Sequence, residues 1–489
     1  MSPKTGKHGL ESTETDVIVI GVGTSGEDLS LQLLDAGLDV VGIEPSLVGG
    51  LCPYWACLPT KMMIRAANSI KEVQRASELA GKADIAANWS LVAERVRGLT
   101  GNWDDSGAVT RFQERGGRLV RGYGKLTGPR SVVAGDQSFT ARKAVVIATG
   151  SRPVMPSVPG LADIEFWTTN DVIRMQELPE SIIILGGGAS GCELGQVMAR
   201  FGVDTTIIEA QDRLLAGEEP EASEVIENTF AGEGIKIHTG TGIQKVDLRD
   251  GSYVVTLGGG RELTGERLLV ATGRRVELSG LGLQTLGIDE TSDFLPVDEN
   301  MKVREIVYGM GDVTGKGFYS HVGLYQSSII ASRILGRDVP PATWHAVPRP
   351  VFTDPEVGSV GLTESEALGK GIPVAVATKQ IPATFRGAVH GAESGFVKLV
   401  VDSKKDILIG ATVAGPSGTD ILGILNLAVH SRLPMTELRS MIYAFPSFHS
   451  TIGETIGAYG RGVTTALDPS YEGHKILDAV AKTVSHHLK

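Results

Sequence analysis

From Asp16 the chain reads DVIVIGVGTSGEDLSLQLLDAGLDVVGIE, an unbroken apolar stretch, a glycine turn, apolar positions at helical spacing, and a second apolar stretch ending in an acid. A continuous run of β-branched residues predicts a strand buried on both faces, and the 3.6-residue recurrence predicts an amphipathic helix, so the segment reads as a βαβ unit. From Ser181, SIIILGGGASGCELGQVMARFGVDTTIIE repeats the same grammar. In both copies the last glycine and the terminal acid stand 18 residues apart, Gly26 to Glu44 and Gly191 to Glu209. A strand before, a helix after and an acid at that distance are what a dinucleotide site requires.

A second repeated element follows each unit: AVVIATGSRP, containing Ala148, Thr149 and Gly150, and RLLVATGRRV, ending its motif at Gly273. Both read as a strand that closes a nucleotide-binding sheet and leaves through a glycine. The first unit carries about forty more residues between its turn and its ATG than the second. After position 345 the texture changes to period-two apolar patterns, as in GFVKLVVDSKKDILIGATVAG, followed by helices from DILGILNLAVHS, which predicts strands and then helices. The expected fold class is α/β, with two Rossmann-like units and an α+β C-terminal domain. Residues 1–15 read as a flexible tail.

Bulk properties narrow the function. A length of 489 residues supports two to four domains without staples. A formal charge of −11 argues against nucleic acid and anionic membranes as partners. The polar N-terminus lacks a signal-like apolar core, and no apolar run is long enough to span a bilayer. Three cysteines in this length are no disulfide framework, so the expected setting is cytoplasmic, and a close cysteine pair there is catalytic or metal-binding before it is structural.

In the first fingerprint Gly21 allows the tight turn, Gly23 lets backbone approach a pyrophosphate and Gly26 lets the helix pack closely, while Glu44 would accept from an adenosine ribose. Gly186, Gly188 and Gly191 make the same case for a second dinucleotide. Glu209 favours a free 2′-hydroxyl and repels a 2′-phosphate, pointing to NADH over NADPH, although Arg213 four residues on works against that preference. Cys192, at a helix start, reads as structural.

The densest chemistry lies in GGLCPYWACLPTK, Gly49 to Lys61. On a regular helix, residues five apart rise about 7.5 Å and point away from each other, beyond what a disulfide spans. A Cys52–Cys57 bridge therefore requires a distorted turn, which Pro53 would help impose. A reduced pair near a helix start would have a lowered thiol pKa, with Lys61 adding positive charge. Two buried thiols or half a metal site are the bland alternatives; no further cysteine or histidine cluster completes four metal ligands.

Two fingerprints, two ATG turns, Gly311-Asp312, a CxxxxC between GG and PTK, and FTDPEVGSVGLTE together resemble the flavoprotein disulfide reductases, the class I pyridine nucleotide-disulfide oxidoreductases. The resemblance runs from about residue 15 to about residue 465. It implies an FAD-binding domain (16–155 and 276–344), an NAD(P)H-binding domain (156–275) and a homodimer interface domain (345–489), with the active site shared across the interface. It implies that Asp312 contacts the flavin's ribityl region and that Gly50, Thr149, Gly150, Gly273 and His321 line the cofactor sites. Electrons then pass from nicotinamide to flavin and open the disulfide through Cys57, freeing Cys52 as the exchange thiol. Lys61 and Glu193 match the family's ion pair beside the flavin.

One departure matters. The family's reductases carry a His, then Pro-Thr, and a Glu five residues after that His, as the proton relay. Here the segment is MIYAFPSFHSTIGE. Aligned without gaps, Phe445 replaces the His and Ser450 the Glu; a shifted alignment pairs His449 with Glu454 but needs a four-residue insertion. The ungapped reading is preferred, with His449 one turn further on as a candidate acid. The family's C-terminal metal-delivering cysteine pair is absent, which argues against mercuric ion. The expected activity is reduction of a small, uncharged or apolar disulfide. Thioether cleavage of the 2-ketopropyl-coenzyme M oxidoreductase/carboxylase type, NADH-dependent reduction of quinones, and redox sensing with little turnover stay open as alternatives.

Overall fold

The computed structural model describes residues 12–462. The first βαβ segment lies at the centre of an eight-stranded sheet whose main path runs Lys302–Arg304, Val307–Gly309, Gln137–Ile147, Ser12–Ile20, Val40–Ile43 and Arg118–Val120, parallel except at the Lys302–Arg304 edge, with Ser131–Ala134 and Gly124–Leu126 adding antiparallel pairs beside Gln137–Ile147. Alternation along the central strand divides its burial between two layers. Val17 and Val19 pack into one core with Leu29, Leu33, Ile329 and Ile330, while Ile18 and Ile20 face Val132, Phe139 and Val307 on the other side. The last four residues of the expected tail, 12–15, are strand. Ser12 to Thr15 already pair with Ser138 to Ala141, because Gln137–Ile147 is long enough to carry a polar extension of the ladder across a bulge at Thr15/Val17. Residues 1–11 and 463–489 lie outside the described part.

The second unit is a four-stranded parallel sheet, Lys236–His238, Asp204–Ile208, Ser181–Leu185 and Arg267–Val270, beside a three-stranded antiparallel sheet of residues 243–265. The chain enters and leaves this unit through two short strands, Arg152–Pro153 and Arg274–Arg275, which pair with each other. Beyond residue 347, five antiparallel strands in the order Pro348–Val351, Glu356–Gly361, Ile407–Gly415, Phe396–Asp402 and Val374–Gln380 carry the helices Gly418–His430 and Phe448–Gly460. Among the described residues no helix is long and apolar enough to cross a membrane.

The surplus in the first unit is helical. It holds Cys57–Leu79, Trp89–Leu99 and Ser106–Glu114. Met63, Ile64 and Ala67 of the first helix pack with Trp89, Val92 and Val96, and with Leu194, Val197 and Met198 of the second unit. The helix that follows the cysteine segment thereby joins the two nucleotide units.

Candidate active site

Both fingerprints form the same structure. Gly21 and Gly186 have φ of +95° and +111°, and a Cβ at either would lie 2.3 or 2.5 Å from the carbonyl oxygen of Ala148 or Ala271. Their glycines are required by the fold itself. Gly23 and Gly188 are different: φ is −71° and −76°, and a Cβ there would meet nothing nearer than 3.8 Å, or nothing at all. The fold does not demand a glycine at these two helix starts, whereas a pyrophosphate approaching the backbone does. Neither helix has a side-chain cap, so first-turn N–H groups remain for an anion. Gly26 and Gly191 pack their Cα against the carbonyls of Gly21 and Gly186. The residues present fit dinucleotides in both units.

The two acids are matched as well. Glu44 accepts from the N–H groups of Val22 (2.8 Å) and Ser46 (2.9 Å), and Glu209 from those of Gly187 (2.6 Å) and Gln211 (2.8 Å). Each carboxylate holds the glycine turn while keeping lone pairs for a ribose. Burial raises the pKa of Glu44. Arg213 points away from this task, donating to the carbonyls of Ala216 and Glu218. Asp312 accepts from Ser151 Oγ, which in turn accepts from Arg274, and burial raises the Asp312 pKa. Thr149 and Gly150 leave the end of Gln137–Ile147 just before Ser151, and Gly273 occupies the matching exit before Arg274. Ser151 and Arg274 were not legible as site residues, since nothing in a single Ser or Arg after a glycine signals a partner more than 100 positions away.

Gly50 closes on the first glycine turn, where an added Cβ would come 2.7 Å from Gly23 Cα. A short helix, Leu51–Tyr54, follows and breaks at Trp55 and Ala56, the latter at φ −144°, ψ −95°, before Cys57–Leu79 begins. This break is the distorted turn that a bridge needs. Pro53 does not make it: the proline sits in the first turn of the short helix, where no N–H is missed. Both thiols are free and partly buried. Cys57 Sγ lies 3.5 Å from Ser320 Oγ, and its pKa is lowered to about 6 by a hydrogen bond from Cys52, opposed by desolvation and helped by Ser320 and Lys61. The same contact, and then burial, raises that of Cys52. The pair is thus asymmetric, with Cys57 the thiolate.

Four residues along the helix, Lys61 Nζ lies 2.8 Å from Glu193 Oε2 and 4.6 Å from the centre of the Phe352 ring. The other Glu193 oxygen accepts from the Phe352 N–H at 2.9 Å. Phe352 belongs to FTDPEVG, a motif of the resemblance, but was given no role of its own. Ser320 had no signal. His321 next to it stacks on Tyr319, with centroids 5.0 Å apart, and donates from Nε2 to the Pro348 carbonyl. Cys192 is fully buried, donates to the Gly187 carbonyl, and burial raises its pKa, as a structural thiol requires.

The relay segment lies on the surface of the protomer. Phe445 is 67% exposed and meets Phe385 edge to face at 5.4 Å. Ser450 is the third residue of the helix Phe448–Gly460 and exchanges hydrogen bonds with Ser447 in a capping box, so it is committed to the backbone. The structure does not bring His449 and Glu454 together. Five residues on a helix rotate about 140°, and Glu454 pairs with Lys379 at 3.3 Å while His449 is exposed. Tyr54 is buried, its ring against Gly49. Among the described residues no cluster of three or more His, Cys, Asp or Glu could hold a metal.

Residues 15–333 match the family model "Pyridine nucleotide-disulphide oxidoreductase", and residues 347–456 that of its dimerisation domain. The dihydrolipoyl dehydrogenase of Bacillus subtilis is 30% identical over 476 residues, covering 92% of this chain and 99% of the relative. A mercuric reductase of Staphylococcus aureus is 28% identical, covering 86% and 78%. In fold, the chain is similar to the copper(II) complex of the HOCl-induced flavoprotein disulfide reductase RclA from Escherichia coli and to LpdA from Mycobacterium tuberculosis, each with a TM-score of 0.80 at 24% identity and covering 91% of this chain and 99% of theirs. The family uses FAD and a pyridine nucleotide, and its dimerisation domain supports a homodimer. With both nucleotide units, the dimerisation domain and full-length relatives in hand, the chain belongs to the pyridine nucleotide-disulphide oxidoreductase family and is a flavoprotein disulfide oxidoreductase of class I.

Proposed function

We propose that this enzyme is an NADH-dependent reductase of a small, uncharged or apolar disulfide, with Cys52 and Cys57 as its redox pair. The observation that carries this reading is the interrupted helix, whose break sets two partly buried free thiols five positions apart, with only Cys57, beside Ser320, lowered in pKa, chiefly by the Cys52 thiol. Bound FAD would supply the two-electron relay between a reduced nicotinamide and the disulfide. The chain's own residues do the rest. Cys57 carries negative charge near neutral pH, steadied by Ser320 and by Lys61, which Glu193 holds in place. Cys52 keeps its proton and serves as the exchange thiol, which becomes a nucleophile on losing that proton.

The apolar preference is supported by Phe445 and Phe385, exposed side by side on the domain that the family uses for dimerisation. In a homodimer with a shared site this pair would face the partner's exchange thiol, where a relay of His and Glu would otherwise stand. Losing a positioned acid costs about 10²- to 10⁴-fold in a step that needs one, so a substrate whose leaving thiolate needs little help from an acid fits best. NADH is preferred because the Glu209 carboxylate, held by two backbone N–H groups at the ribose end of the second unit, would repel a 2′-phosphate. A cytoplasmic setting and domain limits of 16–155 with 276–344, 156–275 and 345–489 accompany this reading.

Anaerobic titration with NADH tests it. A long-wavelength absorbance from the Cys57 thiolate against the flavin ring is expected, and Cys57→Ser abolishes it. Turnover of quinones that survives Cys52→Ser, with no small disulfide reduced by the parent, would overturn the proposal.

A further inference from the structure

Three consecutive residues, Gly101, Asn102 and Trp103, have φ of +57°, +55° and +59°. A left-handed turn of this kind is disfavoured for L-residues and is unusual at a bulky aromatic, so something must hold it. Asp105, just beyond, is fixed by the N–H of Val48 at 2.7 Å and by Arg121. The turn aims the Trp103 indole at the redox loop. Its Nε1–H donates to the carbonyl of Tyr54 at 3.2 Å, and its ring stacks on Trp55 with centroids 5.7 Å apart. From the second unit, the Arg174 guanidinium covers Trp55 at 4.3 Å and Trp103 at 5.2 Å.

Tyr54 is the last residue of the short helix, and its carbonyl is orphaned by the break that follows. We propose that Trp103 is a positioning residue for the Cys52–Cys57 pair: its indole N–H replaces the helical donor missing at Tyr54 and so holds open the break that lets the two cysteines meet. This rests on the reading of the pair as redox-active. The contacts of Trp103 are with the Tyr54 carbonyl, Trp55 and Arg174. Its effect falls on the dithiol–disulfide balance, because the disulfide demands the broken geometry whereas two thiols tolerate a more regular helix.

The test uses the flavin-loaded homodimer in buffers of oxidised and reduced dithiothreitol. Oxidation transfers two electrons from the Cys52 thiol and the Cys57 thiolate to oxidised dithiothreitol, with the Cys52 proton and one proton from solvent completing the two reagent thiols, and forms one protein S–S bond as the reagent's S–S bond opens. Trp103→Phe keeps a ring and removes the donor. Half-oxidation is expected to shift about fivefold toward more oxidising buffer, the equilibrium equivalent of one ordinary hydrogen bond, and thiolate formation in the reduced protein to move to higher pH. Tyr253→Phe is the control. It likewise keeps a ring and removes one donor to a backbone carbonyl, Oη to Glu165 at 2.6 Å, from the three-stranded sheet of the second unit, and both readouts should stay at the parent value. Parent-like readouts in Trp103→Phe, or equal shifts in both variants, overturn the positioning role alone. A parent that forms no Cys52–Cys57 disulfide removes the redox reading, and this role with it.

Discussion

Lys398 Nζ lies 3.0 Å from Glu219 Oε2, and both side chains are only 2% exposed. Glu221 and Glu364 complete a ring of three carboxylates around this one ammonium, at 2.7 and 3.0 Å. The contact ties the C-terminal sheet to the start of the helix Pro220–Gly232 in the second nucleotide unit. A second buried tie, Arg200 to Glu233 and Asp354, reinforces the same junction.

Lys398→Met should therefore leave three crowded carboxylates and cost about 3–5 kcal/mol in stability. The pH dependence has a defined sign. The pKa of Lys398 is raised by Glu221 and Glu219 against the desolvation that lowers it, so its contribution is full below the ordinary lysine pKa and is lost only as pH rises through the higher folded value. In the variant, the repelling carboxylates bind protons more readily when folded, so the deficit shrinks as pH falls. Thermal denaturation of parent and variant at mildly acidic and neutral pH checks both points; an unchanged difference between the two would contradict the repulsion.

Lys61→Met is expected to act on chemistry more than on stability. It strips the nearly buried Glu193 of its cation but leaves the Phe352 N–H, and Lys61 itself is one-third exposed, so a loss of about 1–3 kcal/mol is expected. The Cys57 thiol should also rise from about 6, because one of the charges that lowers it is gone. The pH profile of iodoacetamide alkylation of the reduced enzyme, with peptide mapping to assign Cys57, measures that shift.

The Cys57 asymmetry gives a further expectation. Its lowered pKa owes most to the hydrogen bond from Cys52, so Cys52→Ala should raise the pH of Cys57 alkylation more than Lys61→Met does. The reverse order would mean that charge, and not the neighbouring thiol, governs the site.

What sequence conveyed was local periodicity and paired spacing. The fingerprints and their acids were legible because strand, turn, helix and carboxylate fall within one contiguous βαβ unit, and Gly21, Gly26 and Glu44 each answer to a backbone geometry fixed by neighbours. Ser320, Ser151 and Arg274 were not legible, since their partners Cys57 and Asp312 come from distant segments and a lone Ser or Arg carries no period. The break at Ala56 was inferable from the impossibility of bridging a regular helix. Its stabiliser, Trp103, was not, because nothing in GNWDD announces a left-handed turn.

Glu209→Gln tests the nucleotide preference without dismantling the turn, since the amide oxygen can still accept from one of the two backbone N–H groups. Removing the charge that would face a 2′-phosphate should raise kcat/KM for NADPH relative to NADH by roughly tenfold, the equivalent of about 1.4 kcal/mol. Steady-state kinetics with both nucleotides give the ratio, and an unaltered ratio would remove Glu209 from discrimination.

His449 and Glu454 provide the sharpest separation of the two relay alignments. A working dyad shares one proton path, so losing either member costs nearly as much as losing both. The helix Phe448–Gly460 separates the two side chains by about 140° and commits Glu454 to Lys379. Glu454→Gln should then leave the rate of disulfide reduction unchanged and cost no more than about 1 kcal/mol of stability, while His449→Ala slows the step that reduces substrate and spares flavin reduction by NADH. Rapid-mixing measurement of each half-reaction in the single and double variants separates the cases. Additive effects support a relay without the dyad, and a Glu454→Gln variant as slow as both His449→Ala and the double variant would restore the shifted pairing.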